Sequence, residues 1–412
     1  MTVRLRASTA ADVDGLAALG GQAFAVARTP VDPAHRHYLL AEHRRVVGED
    51  GGRLVAHAGA WSFGQWFGGG RLPCAGVAGV SVAPEARGDG VGTALVTHLL
   101  RTVRDQGDVV ATLYPMNHRF YRSLGFGSSS VRRRDRVPTR ELARTRPPSG
   151  PGAGAGPAGP VTLRPATLDD VPAMEAVIVR RARAGNGLLD HESRHAARLA
   201  GGASGSTYAW VAVDATGTVA GFLASEHVPA VEPGELFSVS VTDLAADDVA
   251  VEAELWRLVG ADHPGARTVE AALPAGSLPR LAGEREITPV SDFTLMSRLL
   301  DVEGALLARG WPPGSDGELL FDVIDPVFAD NAGPLRLTVR SGVAEVARGG
   351  AGPGRATDPV TVDIATLSSL VTGYLDPVTA ARAGLLPGAS PDDLTTMRRL
   401  LAGPAPHTVE FF

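Results

Sequence analysis

The sequence has a single cysteine, Cys74, in 412 residues. That excludes an intrachain disulfide and any metal site built on cysteines. Cys74 lies in the apolar run Pro73-Cys-Ala-Gly-Val-Ala-Gly-Val80 with nothing basic beside it, so it reads as a buried structural thiol and not as a nucleophile. Positive charge is also scarce. Lys and Arg number 39 against 45 Asp and Glu, a net charge of -6, which argues against a nucleic-acid partner, since such proteins carry a basic stripe. No run approaches the ~18 apolar residues that span a bilayer. The first residues, Met-Thr-Val-Arg-Leu-Arg-Ala-Ser, hold no apolar core of a secretion signal. The expectation is a cytoplasmic protein with no membrane partner. A hydrophobic share of 44% and a charged share of 20% are those of globular chains, and the length implies two to four domains.

Glycine and proline are present in quantity, and they cluster. Pro147-Pro-Ser-Gly-Pro-Gly-Ala-Gly-Ala-Gly-Pro-Ala-Gly-Pro160 has no apolar periodicity, so 148–160 reads as a linker. The segments on either side begin alike. Val3-Arg-Leu-Arg-Ala-Ser-Thr-Ala-Ala-Asp-Val13 resembles Val161-Thr-Leu-Arg-Pro-Ala-Thr-Leu-Asp-Asp-Val171. Each predicts a short strand, then a Thr at a helix N-cap and an Asp at the positive end of the helix. We read this as an internal repeat of one domain type. Period-2 alternation predicts strands at Arg53–Ala60 and Ala75–Ala83 in the first copy, with a helix from about Gly90. In the second copy it predicts strands at Tyr208–Asp214, Val219–Ser225 and Leu236–Leu244, then a helix over about Asp247–Val259. From about Leu299 the pattern changes. Leu319–Ile324 and Leu335–Arg340 read as strands and Thr361–Leu370 leads into a helix. The end, His407–Phe412, reads as a short apolar strand that is packed and not free in solvent.

Arg87-Gly-Asp-Gly-Val-Gly92 follows a strand and opens a helix whose apolar face is Val91, Ala94, Leu95, His98 and Leu99. The first N–H groups of a helix lack internal partners and carry the positive end of its dipole. Glycines let that backbone come close to a phosphate, so the turn is a pyrophosphate cradle. It is not a Walker A loop, since no Lys-Ser/Thr follows the last glycine, and it lacks the Gly-x-Gly-x-x-Gly order of dinucleotide folds. A second element is Arg119-Phe-Tyr-Arg-Ser-Leu-Gly-Phe126.

These two elements resemble the acyl-CoA signature and the Tyr element of the GNAT acetyltransferase superfamily. The resemblance implies acetyl-CoA as co-substrate, with the backbones of Val80, Ser81 and Val82 bonding its pantetheine. Gly88, Asp89, Gly90, Val91, Gly92 and Thr93 would hold its pyrophosphate, and Arg87 would complement the charge. Met116 and Asn117 would touch it. It also implies Tyr121 as general acid to the leaving thiolate, a role that suits a phenol. The order of two GNAT-like copies and a smaller domain is similar to that of the enhanced-intracellular-survival (Eis) acetyltransferases. From that likeness the expected fold is α+β, in four pieces. These are a catalytic GNAT domain (1–147), a linker (148–160), a degenerate GNAT-like domain (161–298) and a sterol-carrier-like domain (299–412). The second copy is degenerate because Leu244-Ala-Ala-Asp-Asp-Val249 stands where the glycine turn would be. Its Asp247 and Asp248 would repel a phosphate.

In the Eis family the C-terminal carboxylate is the general base, here that of Phe412. Phe411 and Phe412 would supply the apolar setting that raises a carboxylate's pKa. The resemblance further implies an aminoglycoside-like polyamine as substrate, an acidic pocket to which Glu410 would contribute, and a homohexamer. Two rivals stay open: a peptide or lysine acetyltransferase, and a lipid- or ligand-binding protein without activity. No metal is expected. His35 and His37 share one strand face but have no carboxylate or cysteine beside them. His118 reads as an exposed loop residue. The run Arg132, Arg133, Arg134 and Arg136 reads as a solvated strand edge.

Overall fold

The computed structural model describes residues 3–24, 44–147, 160–190, 207–282, 287–349 and 358–412. His35, His37 and the linker up to residue 159 lie outside them. The chain forms two units. The first is Met1–Ser130 with Leu295–Ala405 and Phe412; the second is Val131–Thr294 with Pro406–Phe411.

In the first unit the strands run in the order Arg4–Ala7, Arg44–Asp50, Arg53–Phe67, Gly70–Val82 and Val110–Leu113. Neighbours are antiparallel up to Gly70–Val82, which is parallel to Val110–Leu113. Residues Met296–Leu299 then pair antiparallel with Val110–Leu113. Alternation along Arg53–Phe67 divides the side chains between two faces. On one face Ala56, Ala58 and Ala60 are small enough for the helix Val91–Asp105 to lie close, and it buries Leu95, Leu99, Leu100 and Val103 there. Each such side chain contributes roughly 1.5–3 kcal/mol. On the other face the helix Val13–Phe24 buries Val13, Leu16 and Ala17 against Val47.

The same unit holds a four-stranded sheet in the order Val343–Arg348, Gly333–Arg340, Gly317–Ile324, Val360–Asp363. The helices Ile364–Val371, Pro377–Arg382 and Pro391–Leu400 follow it. The chemistry of Asp363, Asp376 and Ser390 sets their starts, since each side chain accepts from a main-chain N–H of the first turn.

The second unit orders its strands Thr162–Pro165, Thr207–Val213, Val219–Val228, Ser238–Ala246 and Thr268–Ala272, followed by residues 134–138 of Gly127–Pro138. The helix Val171–Ala182 packs Met174, Val177 and Ile178 on Val211 and Phe222. The helix Val249–Gly260 packs Leu255, Trp256 and Val259 on Ala212 and Leu223, the alternate face.

The repeat is written into the hydrogen bonds. Arg6 donates twice to Asp12 at 2.8 Å, and Thr9 N donates to the same carboxylate at 2.7 Å. Arg164 donates to Asp170 at 2.8 and 2.7 Å, and Thr167 N at 2.8 Å. Both carboxyls are pulled down to about 2, chiefly by their arginines.

Two expectations are corrected. The C-terminal residues do not form a strand. Only His407 makes a bridge, to Val131, although burial alternates along Pro406, Thr408 and Glu410. The arginine run is not solvated either. Arg132 is 8% exposed. Arg134 donates to Ser240 Oγ at 2.9 Å, and Arg136 to Glu270 at 2.7 Å. Arg133 alone is exposed, facing Asp135 and Asp292.

Candidate active site

The strands Gly70–Val82 and Val110–Leu113 pair at only three positions, ending at Gly76 and Thr112. Beyond Gly76 the edge of Val77–Val82 has no partner from Val110–Leu113. Its other edge stays on Arg53–Phe67, with one irregularity. Gly59 faces Ala78, yet His57 faces Ser81, so Gly79 and Val80 oppose the single residue Ala58. This is a β-bulge, which bends a strand. Gly79 has φ +64°, a conformation only glycine adopts readily. An extended ligand with amide groups fits the freed edge as an added strand would.

Past the strand, Pro84–Ala86 make one 3₁₀ turn. Gly88 (φ +91°) and Gly90 (φ +77°) then lead into the helix Val91–Asp105, with Gly90 at its N-cap. Nothing lies within 4 Å of a Cβ built on either glycine. The turn is open, and free helix N–H groups stand behind it. Asp89 and Thr93 are exposed on this turn. Arg87 folds back, its Nε donating to Val82 O at 3.0 Å. The site thus fits a pantetheine phosphate ester, an arm along the strand edge and an anion at the helix N-terminus.

Tyr121 is carried by the helix His118–Ser123. Asn117 caps this helix, its Oδ1 accepting from Phe120 N at 3.0 Å. Met116 is 90% exposed, and His118 is exposed at the helix start. Tyr121 is buried between Phe120 and Phe126, with ring centroids at 5.0 and 5.7 Å. Burial pushes its hydroxyl up to about 12.

Phe412, the last residue, belongs to this same unit. Its ring lies 5.0 Å from Phe63 and 5.4 Å from Tyr114. A Cβ on Gly76 would stand 3.1 Å from it. Gly76 is where the two strands part, so the terminal residue sits at the apex of the opening. Phe63, Tyr114 and Gly76 were not foreseen. No motif marks them, and their common point is a residue far off in sequence. The pair His57–Ser81 was also missed in part. His57 is 2% exposed and neither of its ring nitrogens has a partner. Burial, helped by Arg45, brings its pKa down to about 3. No group of three or more metal-ligating side chains occurs among the described residues. Cys74 is buried, as expected.

Residues 4–129 match the family model of the acetyltransferase (GNAT) domain, and residues 302–409 that of the sterol carrier protein domain. An uncharacterized N-acetyltransferase of Streptomyces coelicolor is 31% identical over 326 residues, which is 74% of this chain and 76% of that protein. The chain belongs to the GNAT family of N-acetyltransferases. This GNAT enzyme is similar over its whole length to a GCN5-related N-acetyltransferase from Kribbella flavida. The TM-score is 0.85 at 27% identity, covering 100% of this chain and 98% of that one. Eis1 from Mycobacterium abscessus shares the fold at TM-score 0.76 and 22% identity, with 100% of each chain covered. The enzyme is therefore an N-acetyltransferase of α+β fold that uses an acyl-CoA and carries a C-terminal sterol-carrier-like domain. None of the helices among the described residues is long and apolar enough to cross a membrane.

Proposed function

We propose that this enzyme moves acetyl from acetyl-CoA to a primary amine of an aminoglycoside-like polyamine, with the Phe412 carboxylate as base. The observation that carries the reading is the Phe412 ring against Phe63, Tyr114 and the neighbourhood of Gly76, where the strand opening begins. The co-substrate supplies an acetyl group activated as a thioester. Val80, Ser81 and Val82 orient it through the free strand edge, and Arg87 with the Gly88–Thr93 turn neutralises its phosphates. Met116 and Asn117 lie at the rim. The Phe412 carboxylate takes a proton from the acceptor ammonium. Apolar surroundings make a carboxylate a stronger base than it is in water. A C–N bond then forms as the C–S bond breaks, the second proton of the attacking nitrogen passing to the departing CoA thiolate, and the arrangement acts largely by holding the reactants together.

Tyr121 faces the departing sulfur. A phenol held up at about 12 is a poor acid toward a thiolate whose conjugate thiol has pKa ~8.5. Full transfer would be uphill by roughly 5 kcal/mol. Its role is thus sharpened from a general acid that surrenders a proton to a hydrogen-bond donor that stabilises the sulfur as charge develops.

We assign the chain a catalytic domain at 1–147, a scaffold copy at 161–298 and a sterol-carrier-like domain at 299–412. A cytoplasmic homohexamer is part of the same reading. Support for the scaffold role comes from the turn of the second copy. Asp247 is held by Arg180 at 2.8 and 2.9 Å, and Asp248 caps the helix Val249–Gly260. Thiol release measured over a panel of aminoglycosides and lysine peptides, with product masses, tests the substrate. A preference for peptides would overturn the polyamine assignment.

A further inference from the structure

The second unit repeats the feature that opens the cofactor cleft of the first. Ser238–Ala246 and Thr268–Ala272 are parallel and pair only at Val239–Val269 and Ser240–Glu270. Beyond them the strands part. Val241 and Leu244 on one side and Ala272 and Pro274 on the other line a cavity, and Val409 of the C-terminal segment lines it with them. A second cavity, lined by Ile178, Arg181, Leu188, Ala245 and Glu410, also meets Val409. Val409 and Glu410, near the end of the chain, thus border the space where these strands part.

That end is fastened along its length. His407 N donates to Asn186 O at 3.0 Å. Val131 N donates to Pro406 O at 3.4 Å, and Thr408 N to Val131 O at 3.2 Å. Arg132 Nε donates to Val409 O at 3.0 Å, and its guanidinium lies 5.6 Å from the Phe411 ring centre. Pro406, Thr408 and Glu410 are buried in turn. At the start of the helix Val249–Gly260 both acidic residues are engaged, Asp247 by Arg180 and Asp248 by Ala250 N.

We propose that the strand gap of the second unit is a docking slot for the last residues of the chain. Arg132 is its positioning residue, fixing how far the terminus extends. The former cofactor cleft of the degenerate copy has become the seat of Thr408–Glu410. The kinetic part of this inference rests on the reading of Phe412 as base; the slot itself does not. Arg132 acts through the Val409 carbonyl.

The test uses the full chain with Arg132→Met, Arg132→Lys and Val409→Asp, which trades the isopropyl group that lines both cavities for a carboxylate. Hydrogen–deuterium exchange over Pro406–Phe412 is followed beside steady-state kinetics. R132M and V409D are expected to speed exchange of the Thr408–Phe411 amides at least tenfold, with the rest of the chain unchanged. They are expected to lower kcat with the KM for acetyl-CoA unaltered. R132K, which keeps a donor, is expected to restore most of both. Unchanged exchange in R132M would overturn the slot. Faster exchange with unchanged kcat would overturn the positioning role. If amidation of Phe412 in the otherwise wild-type chain leaves turnover unchanged, the base reading fails, and the exchange arm still decides the slot by itself.

Discussion

Replacing Arg298 by Met tests how the end of the Tyr121 helix is held. Arg298 and Asp325 are both fully buried, 2.6 Å apart. Arg298 also donates to Leu124 O at 2.7 Å, just past the helix, and to Leu299 O at 2.7 Å. Methionine fills much of the volume and removes the charge and all three donors. Taking one partner from a buried ion pair costs roughly 3–5 kcal/mol. Asp325 keeps three donors, Val327 N at 2.9 Å, Phe328 N at 3.1 Å and Asn331 Nδ2 at 3.0 Å. The loss therefore belongs at the low end, about 3 kcal/mol, and the orphaned Leu124 carbonyl adds about 1 kcal/mol. Asp325→Asn leaves the opposite charge buried and is expected to cost a similar amount. The double variant R298M/D325N buries no unpaired charge, so it should fall short of the sum by about 1–3 kcal/mol. Urea unfolding measures this as a shift of midpoint at constant slope. An R298M loss under 1 kcal/mol, or strict additivity in the double variant, would refute the argument.

Three further outcomes follow from the same geometry. Gly90→Ala places a side chain at φ +77°, which costs about 1–2 kcal/mol, and the KM for acetyl-CoA should rise about tenfold with kcat less affected. Tyr121→Phe should lower kcat by about 10- to 100-fold, less than the loss of a full general acid. In the parent enzyme the pH–rate profile should show no alkaline fall from this group below about pH 11, since its pKa is raised to about 12. His57 has a folded pKa of about 3 against its ordinary 6.5. The unfolded chain thus binds this proton first as pH falls. Stability from His57 is full above about pH 6.5 and is lost toward pH 3, about 2 kcal/mol of it by pH 5. In His57→Gln the difference in unfolding free energy between pH 7 and pH 5 should shrink by that amount; an unchanged difference would remove His57 as the cause.

The parts of the site that were legible are local. The Gly88–Gly92 turn announces itself because a helix N-terminus and the glycines that expose it lie within six residues. The repeat was readable because Arg6, Thr9 and Asp12 bond to one another, as do Arg164, Thr167 and Asp170. What stayed hidden depends on distant partners. Arg132, Arg134 and Arg136 look solvated by themselves, yet Val409, Ser240 and Glu270 engage them. Nor does any local pattern say that Met296–Leu299, at the end of the second copy, returns to pair with Val110–Leu113. Phe412 was named through family likeness alone. Its neighbours Phe63 and Tyr114 are ordinary strand-side aromatics until the terminus is set between them.

The most direct test of the account converts the C-terminal carboxylate of Phe412 to a carboxamide, by ligation of a synthetic tail, and measures acetyl transfer to an aminoglycoside. The ring and its contacts remain, and only the base is lost. Turnover is predicted to fall at least about 100-fold, with the KM for acetyl-CoA unchanged. Turnover equal to that of the free acid would contradict it.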